Sequence, residues 1–266
     1  MTLGFLGAGK MAEALISAMV RTRRVKPDAI IACDRLAARR DWMRQTYGIR
    51  VHEAPSEVVE AAEVLFLAVK PQDLDALLTQ LAPSLTRRHL LVSIAAGKSL
   101  AGMQARVGAA VRLCRVMPNL AVEVGEGMCV CCLGESARET DRRRVERLLG
   151  AAGKVCFLPE AQFDWVTALS GSGPAFVAWL LRAGIDAAIT GGLPRGAAET
   201  LAVQTLMGTA CLLREGGWQP DTLIQAVASP GGTTAAGLNV LDASDARALL
   251  ARTLEAAAQR SRELSG

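Results

Sequence analysis

Groups that move protons near neutral pH are scarce in this sequence. Its 266 residues include two histidines, His52 and His89, and one tyrosine, Tyr47, and aromatics make up only 4%. No lysine follows Lys154 and no histidine follows His89. A dehydrogenase acting on an alcohol needs a proton donor or acceptor at the carbinol oxygen, usually His, Lys or Tyr, and the later part of the chain has none. No long basic run is interleaved with aromatics, which argues against nucleic acid as a partner. Arg21, Arg23, Arg24 and Lys26 cluster early and read as a solvated helix end. The uncharged, apolar stretch of residues 165–181 is broken in its middle and too short for a bilayer, so no membrane span is expected. Strand-forming residues begin at Leu3, so no leader peptide is expected. The seven cysteines are odd in number, and only two histidines exist to help bind a metal. They read as reduced, mostly buried thiols of a cytoplasmic protein without a metal site.

What is present is aliphatic: 51% hydrophobic residues at a net charge of +4, with length enough for two modest domains. Over the first 160 residues, strand and helix signals alternate. Thr2–Leu6, Ile30–Cys33, Val64–Val69, Leu90–Ile94, Val111–Val116, Gly127–Leu133 and Val155–Leu158 read as strands. Lys10–Arg21, Ala37–Tyr47 and Ala137–Leu149 read as helices. This alternation predicts an α/β fold with a parallel, doubly wound sheet.

Gly7-Ala8-Gly9-Lys10-Met11-Ala12 follows the first strand directly and opens a helix, as a dinucleotide-binding turn does. Gly7 permits the tight turn, Gly9 the close approach of a pyrophosphate, and Ala12 the packing of the helix on the sheet. The expected contacts run from Leu6 through Met11, with Lys10 adding a cation beside the phosphates. Asp34, at the end of the second strand, suits a ribose hydroxyl and so NAD. Arg35 beside it, with Arg39 and Arg40 one turn on, suits instead the extra phosphate of NADP. A wet helix face is the ordinary alternative for Arg39 and Arg40. The other strand ends, Ala68-Val69-Lys70-Pro71 and Ala95-Ala96-Gly97, are expected to line the same crevice.

After Pro159 the signals are helical only, which sets domains at 1–159 and 160–266. From Trp165 to Leu213 only Arg182, Asp186, Arg195 and Glu199 are charged. Helices apolar on every side need burial on nearly every side, and a second copy of the chain is the expected cover. Ser170-Gly171-Ser172-Gly173-Pro174 interrupts this region. It predicts a helix start at Pro174, with Ser172 and Gly173 beside an anion-ready end. Val227–Leu238 holds a second start. Pro230 stops what precedes it, Gly231 and Gly232 leave the backbone bare, and Thr233 and Thr234 open a helical run reaching about Leu264. Free N–H groups there suit a carboxylate. An activated substrate needs no strong acid or base. A protonated imine accepts hydride directly and must only be held and hydrogen-bonded at nitrogen. The residues point to an imino-acid reductase.

The sequence resembles the pyrroline-5-carboxylate reductase family over its whole length. The likeness rests on Gly4–Ala12 (GFLGAGKMA), Ala68–Gln72 (AVKPQ), Val92–Gly97 (VSIAAG), Arg115–Asn119 (RVMPN), Leu169–Phe176 (LSGSGPAF) and Ser229–Thr234 (SPGGTT). The resemblance implies a Rossmann-like domain followed by an all-α dimerisation and substrate domain. It also implies reduction of L-1-pyrroline-5-carboxylate to L-proline with NADPH, NAD being possible, and an interwoven homodimer often assembled into larger rings. Residues matching Ser229, Gly232, Thr233 and Thr234 hold the substrate carboxylate and ring, and the hydroxyl matching Thr234 faces the ring nitrogen. The chain departs from the family pattern at Lys10, Phe176, Asp34-Arg35-Leu36 and Leu120-Ala121. Alternatives are a reductase of a related cyclic imino acid, a 3-hydroxyacid-type dehydrogenase, and a catalytically weak nucleotide sensor.

Overall fold

A computed structural model describes residues 2–265. The chain divides into two compact units, one running to Ser172 and regaining the chain from Ala257, the other Gly173–Ala256. In the first unit, β1 (Leu3–Leu6), α1 (Lys10–Arg21), β2 (Ile30–Cys33), α2 (Ala37–Tyr47), β3 (Arg50–His52) and α3 (Pro55–Ala61) alternate. They are followed by β4 (Val64–Leu67), α4 (Pro71–Leu81), β5 (Leu90–Ser93), α5 (Leu100–Val107) and β6 (Arg112–Pro118). β7 (Gly127–Leu133), α6 (Glu139–Leu149), β8 (Gly153–Phe157) and a short α7 (Phe163–Val166) complete it.

The eight strands lie in the order β3-β2-β1-β4-β5-β6-β7-β8. The direction of strand growth reverses between β1 and β4, whose carboxyl ends therefore open a crevice. β1, β2, β4 and β5 are buried at every residue, as strands covered on both faces must be. Side chains alternate between two aliphatic cores. Phe5 stacks on Phe66 (centroids 4.6 Å apart) in one, while Leu6, Leu65 and Leu67 fill the other. Ala12 is 1% exposed, so the absence of a larger side chain lets α1 sit close to the sheet.

The sheet is not wholly parallel, as the alternation suggested. β7 pairs antiparallel to β6. The link between them holds one 3-10 turn, Leu120–Val124, and is too short for the crossover a parallel pair needs. β7 also places Cys129 and Cys131 in the first core and Cys132 on the other face, so strand alternation separates Cys129 from Cys132. All seven cysteines are free.

The sheet unit extends beyond residue 159, the boundary read from sequence. Phe163 and Val166 pack with Val130 against the sheet. Arg115, 6% exposed, donates to Glu160 at 2.8 Å and lies over the Phe163 ring at 4.7 Å. Glu160 also accepts the Leu100 N–H at 2.8 Å, so one carboxylate ties β6, α5 and the start of α7 together.

The second unit is helical: α8 (Gly173–Thr190), α9 (Arg195–Arg214), α10 (Pro220–Val227), α11 (Thr233–Ala243) and most of α12 (Ala246–Ser265). The run expected from Thr233 to Leu264 is two helices. It breaks at Ser244, which leaves the helical region (φ −94°, ψ 172°) and accepts the Ala246 N–H on its hydroxyl at 3.2 Å. Among the described residues, no helix is long and apolar enough to cross a membrane.

Candidate active site

At the crevice, β1 enters Gly7 with φ +98°, a conformation that L side chains rarely adopt. A Cβ there would also lie 2.7 Å from the Ala68 carbonyl oxygen, so the meeting of the β1 and β4 ends demands glycine. Gly9 needs no such freedom (φ −67°, ψ −178°), and a Cβ on it would meet nothing within 4 Å. Its missing side chain serves space outside the protein's own packing. No side chain caps α1, so the N–H groups of its first turn remain available. They open beside a cavity of about 680 Å³, whose walls include Leu6, Gly7, Gly9, Cys33, Asp34 and Arg35 and, across the crevice, Ala68, Val69 and Lys70. An uncapped helix start, a bare glycine and a nearby cavity fit the pyrophosphate of a dinucleotide. Lys10 is exposed and makes no ion pair among the described residues.

The charged residues after β2 divide into two kinds. Asp34 accepts the Ala8 N–H on one oxygen and the Leu36 N–H on the other, each at 3.0 Å. Arg39 donates to the Ala8 carbonyl and pairs with Glu13. Arg40 donates to the Asp34 and Arg35 carbonyls at 2.9 Å and pairs with Glu53 at 3.0 Å. Arg39 and Arg40 are thus neither a wet helix face nor free phosphate ligands; they brace the turn. Arg35 alone of the three is exposed on the cavity wall with no acidic partner among the described residues.

Of the remaining expected contacts, Ala8 is fully buried behind the turn, and Met11 packs against the first core. Pro71 is the first residue of α4, and Lys70 precedes it as N-cap. Ala95, Ala96 and Gly97 do not line the cavity. Ala95 is 4% exposed, and a Cβ on Gly97 (φ +70°) would stand 2.9 Å from the Leu264 carbonyl oxygen. Gln72, Asp73 and Ala76 of α4 do line it, and the sequence reading missed them. Pro71, at a favoured helix start, was their signal.

A helix does start within Ser170–Pro174, at Gly173, one residue before the position read from sequence, but it follows a turn that is itself helical. Thr167–Gly171 forms a π turn in a backbone that stays helical through Ser172 (φ −84°, ψ −19°). The Ser172 N–H is used by the Thr167 carbonyl at 2.8 Å. Pro174 is the second residue of α8, not the first. Such π turns recur at functional sites. This one brings Ser170 to 3.4 Å from the Asn119 amide nitrogen and seats Gly171 against Met117. Asn119 in turn accepts the Met128 N–H at 3.1 Å.

In the second unit, Ser229, Pro230, Gly231 and Gly232 make a tight turn. Pro230 takes its second position and Gly231 its third, with φ +69°, as a type II turn requires. Gly232 is then the N-cap of α11 and, having no side chain, leaves the first N–H groups uncapped. Thr190, Thr200, Thr209 and Thr253 each donate to the carbonyl four residues before. Thr233 and Thr234 stand in the first turn, where no intrahelical carbonyl lies behind them. Their hydroxyls have no hydrogen-bond partner among the described residues. Thr234 is half-buried and Thr233 exposed. The geometry suits a small carboxylate with a polar atom beside it.

Residues 160–264 match the family model described as pyrroline-5-carboxylate reductase dimerisation. Residues 2–97 match that of NADP oxidoreductase coenzyme F420-dependent. The chain is 40% identical over 264 residues to a pyrroline-5-carboxylate reductase of Glycine max, covering 99% of this chain and 96% of that one. Among solved structures, it is similar to a pyrroline-5-carboxylate reductase from Coxiella burnetii (TM-score 0.95, 30% identity, covering 100% of this chain and 98% of that one). It is also similar to pyrroline carboxylate reductase of Plasmodium falciparum with NADP bound (TM-score 0.89, 27% identity, 100% and 98% covered). The chain belongs to the pyrroline-5-carboxylate reductase family.

Proposed function

We propose that this protein reduces L-1-pyrroline-5-carboxylate to L-proline with NADPH, as a cytoplasmic homo-oligomer. The observation that carries the chemistry is the start of α11, where uncapped N–H groups adjoin the unpartnered hydroxyl of Thr234. The N–H groups of Thr233 and Thr234 hold the substrate carboxylate, with Ser229 and Thr233 offering further hydroxyls. Thr234 orients the ring by a hydrogen bond at its nitrogen. A bound nicotinamide supplies the hydride that reaches the imine carbon. The proton on nitrogen comes from the iminium form of the substrate, so the scarcity of protein acids and bases is no obstacle. Leu6–Met11, Arg35 and the Ala68–Pro71 segment hold the dinucleotide. Arg35, with no acidic partner among the described residues, favours the cofactor with the additional phosphate, and NAD binds more weakly.

The assembly rests on the helical unit. Trp179 is 56% exposed, Leu201 57% and Met207 54%, a density of large apolar side chains that water does not tolerate across a wide surface. A homodimer through this unit covers them. The free thiols accord with a reducing compartment. The experiment is the loss of NADPH absorbance on adding pyrroline-5-carboxylate, with proline measured as product. Sedimentation at micromolar concentration is expected to give a dimer or a multiple of it. No turnover with the imine, or a compact monomer, would refute the corresponding half of the proposal.

A further inference from the structure

Ala8, between the two glycines of the cofactor turn, is held on both sides of its backbone by side chains. Its N–H donates to Asp34 at 3.0 Å, and its carbonyl accepts from the Arg39 Nε. The other branch of the Arg39 guanidinium pairs with Glu13. Glu13 is itself fixed, accepting the Trp42 indole N–H at 2.8 Å and the Tyr47 hydroxyl at 3.0 Å. Ala8 is fully buried, so its polar backbone groups depend on these partners rather than on water.

We propose that Asp34 and Arg39, the latter oriented by Glu13, are positioning residues that clamp the Ala8 backbone and so aim the free N–H groups at the start of α1 toward the cofactor's pyrophosphate. The proposal rests on the nicotinamide-dinucleotide reading of this site. It assigns Asp34 and Arg39 no direct contact with the adenosine ribose or its phosphate. An acid that reads a ribose must aim an oxygen outward; each oxygen of Asp34 already accepts a backbone N–H, one from Ala8 in the turn and one from Leu36 after β2, which fixes the carboxylate in place. An arginine that reads a phosphate must present one edge of its fork. On Arg39 the Nε and Nη2 edge is engaged by a carbonyl and a carboxylate, 31 and 26 residues away in sequence, which fixes the orientation of the fork. Gly7 and Gly9 flank Ala8 and resist rotation of its backbone least of all residues. Without a brace the turn must be ordered when the cofactor binds; with one, that ordering is complete beforehand. The clamp also accounts for an acidic residue at the end of β2 in a site that takes NADPH. The Asp34 carboxylate is turned onto the Ala8 and Leu36 N–H groups rather than set to select against the phosphate.

The pyrophosphate is common to NADH and NADPH, so a clamp and a reader fail differently. The test is fluorescence titration of both cofactors into the full-length protein and into Arg39→Met, Glu13→Gln and Asp34→Asn. Amide exchange at Gly7–Met11 is measured on the same proteins without cofactor. Arg39→Met is expected to weaken both cofactors by about tenfold, the scale of one lost charged hydrogen bond. The NADPH-to-NADH ratio is expected to stay within about twofold, and exchange at Gly7–Met11 to quicken. Glu13→Gln should move both affinities in the same direction, less far. With saturating cofactor, turnover and the Michaelis constant for the imine should hold, which a general loss of structure would not allow. Should Arg39→Met not fold, Glu13→Gln and Arg39→Lys carry the same comparison, because neither supports the two-sided grip. A loss confined to NADPH in the Arg39 variants, or to NADH in Asp34→Asn, overturns the clamp in favour of direct reading. Unchanged affinities with unchanged exchange overturn it too. A parent protein that binds neither cofactor overturns the dinucleotide reading itself, a result separate from any ratio among variants.

Discussion

The Gly232 N–H donates to the Ser229 carbonyl at 3.0 Å, closing a turn that delivers the chain to α11 with no side chain at its cap. The two glycines of this turn differ in what they require. Gly231 sits at φ +69° with open space around it, so alanine there costs backbone strain of about 1–2 kcal/mol and no clash. Gly232 has ordinary backbone angles, but a Cβ there would collide with the Ser229 hydroxyl. Both alanine variants are expected to raise the Michaelis constant for the imine more than they lower turnover, and Gly232→Ala should displace Ser229. Steady-state kinetics on the two variants checks this. An unchanged Michaelis constant in both would remove the turn from substrate binding.

Gly9→Val separates packing from ligand space at the other site. Nothing in the protein lies within 4 Å of the added Cβ, so the melting temperature should not fall. Cofactor affinity should fall at least about tenfold, or about 1.4 kcal/mol, because the side chain occupies the approach of the pyrophosphate. Titration and thermal melting of one preparation test both halves.

Much of this was legible from local sequence. Gly7, Gly9 and Ala12 act through their own backbones or their own lack of side chain, so spacing alone marks them. The Pro230-Gly231 turn is local in the same way. Arg39 reads from the sequence as a candidate phosphate ligand, and its bracing role was not legible, because its partner is a carbonyl 31 residues earlier and no composition signal marks a carbonyl. The reversal of β7 was not read because length between strands, rather than strand pattern, decides direction. The start read at Pro174 lies one residue from the observed Gly173, but what precedes it was not legible, for a related reason. Ser-Gly-Ser-Gly-Pro looks like a break, yet the π turn absorbs the extra residue and the helical path continues. Ser244 broke the final helix although alanine-rich flanks favour continuity, since its hydroxyl offers Ala246 a cap.

Glu13 adds an acid-limb dependence on pH. Burial raises its pKa, but hydrogen bonds from Trp42, Arg39 and Tyr47 outweigh that and leave it below the ordinary 4.5. A carboxylate with a depressed folded pKa contributes stability that is present above its unfolded value and is lost as pH falls through the folded one. The stability difference between the parent and Glu13→Gln should therefore be full above pH 4.5 and shrink below it. Denaturant melts across that range measure the difference. A constant difference down to strongly acid pH would mean that the charge of Glu13 does not matter.

Arg115→Ala tests the tie between β6 and the start of α7. Arg115 is 6% exposed and its guanidinium holds both Glu160 and the Phe163 ring. Removing one member of a buried charged pair costs about 3–5 kcal/mol. The Glu160 side chain is 29% exposed and recovers some water, so about 2–3 kcal/mol is the expected loss. Arg115→Lys should recover part of it, without the stacking on Phe163. Urea denaturation reads both values, and a loss under about 0.5 kcal/mol would place Arg115 among ordinary surface residues.

Thr234 joins the geometry of α11 to the chemistry. Its hydroxyl stands in the first helical turn, where it lacks the carbonyl partner that holds Thr190, Thr200, Thr209 and Thr253. It is therefore free to hydrogen-bond a ligand seated on the helix start. If that ligand is the cyclic imine, the hydroxyl orients the ring and meets its nitrogen as the double bond is reduced. An iminium is electrophilic without help, and its proton exchanges with solvent. Thr234→Ala should accordingly lower turnover without abolishing it. A loss of about one to three powers of ten, or about 1.4–4 kcal/mol, is what a single directed donor contributes. Thr234→Ser keeps the hydroxyl and should keep most of the activity. Cofactor affinity should match the parent in both, because Leu6–Met11 and Arg35 are untouched. The measurement is single-turnover kinetics with saturating NADPH, which isolates the chemical step from product release. If Thr234→Ala turns over like the parent, the hydroxyl has no part in the reaction, and the Ser229–Thr234 segment serves only to start a helix.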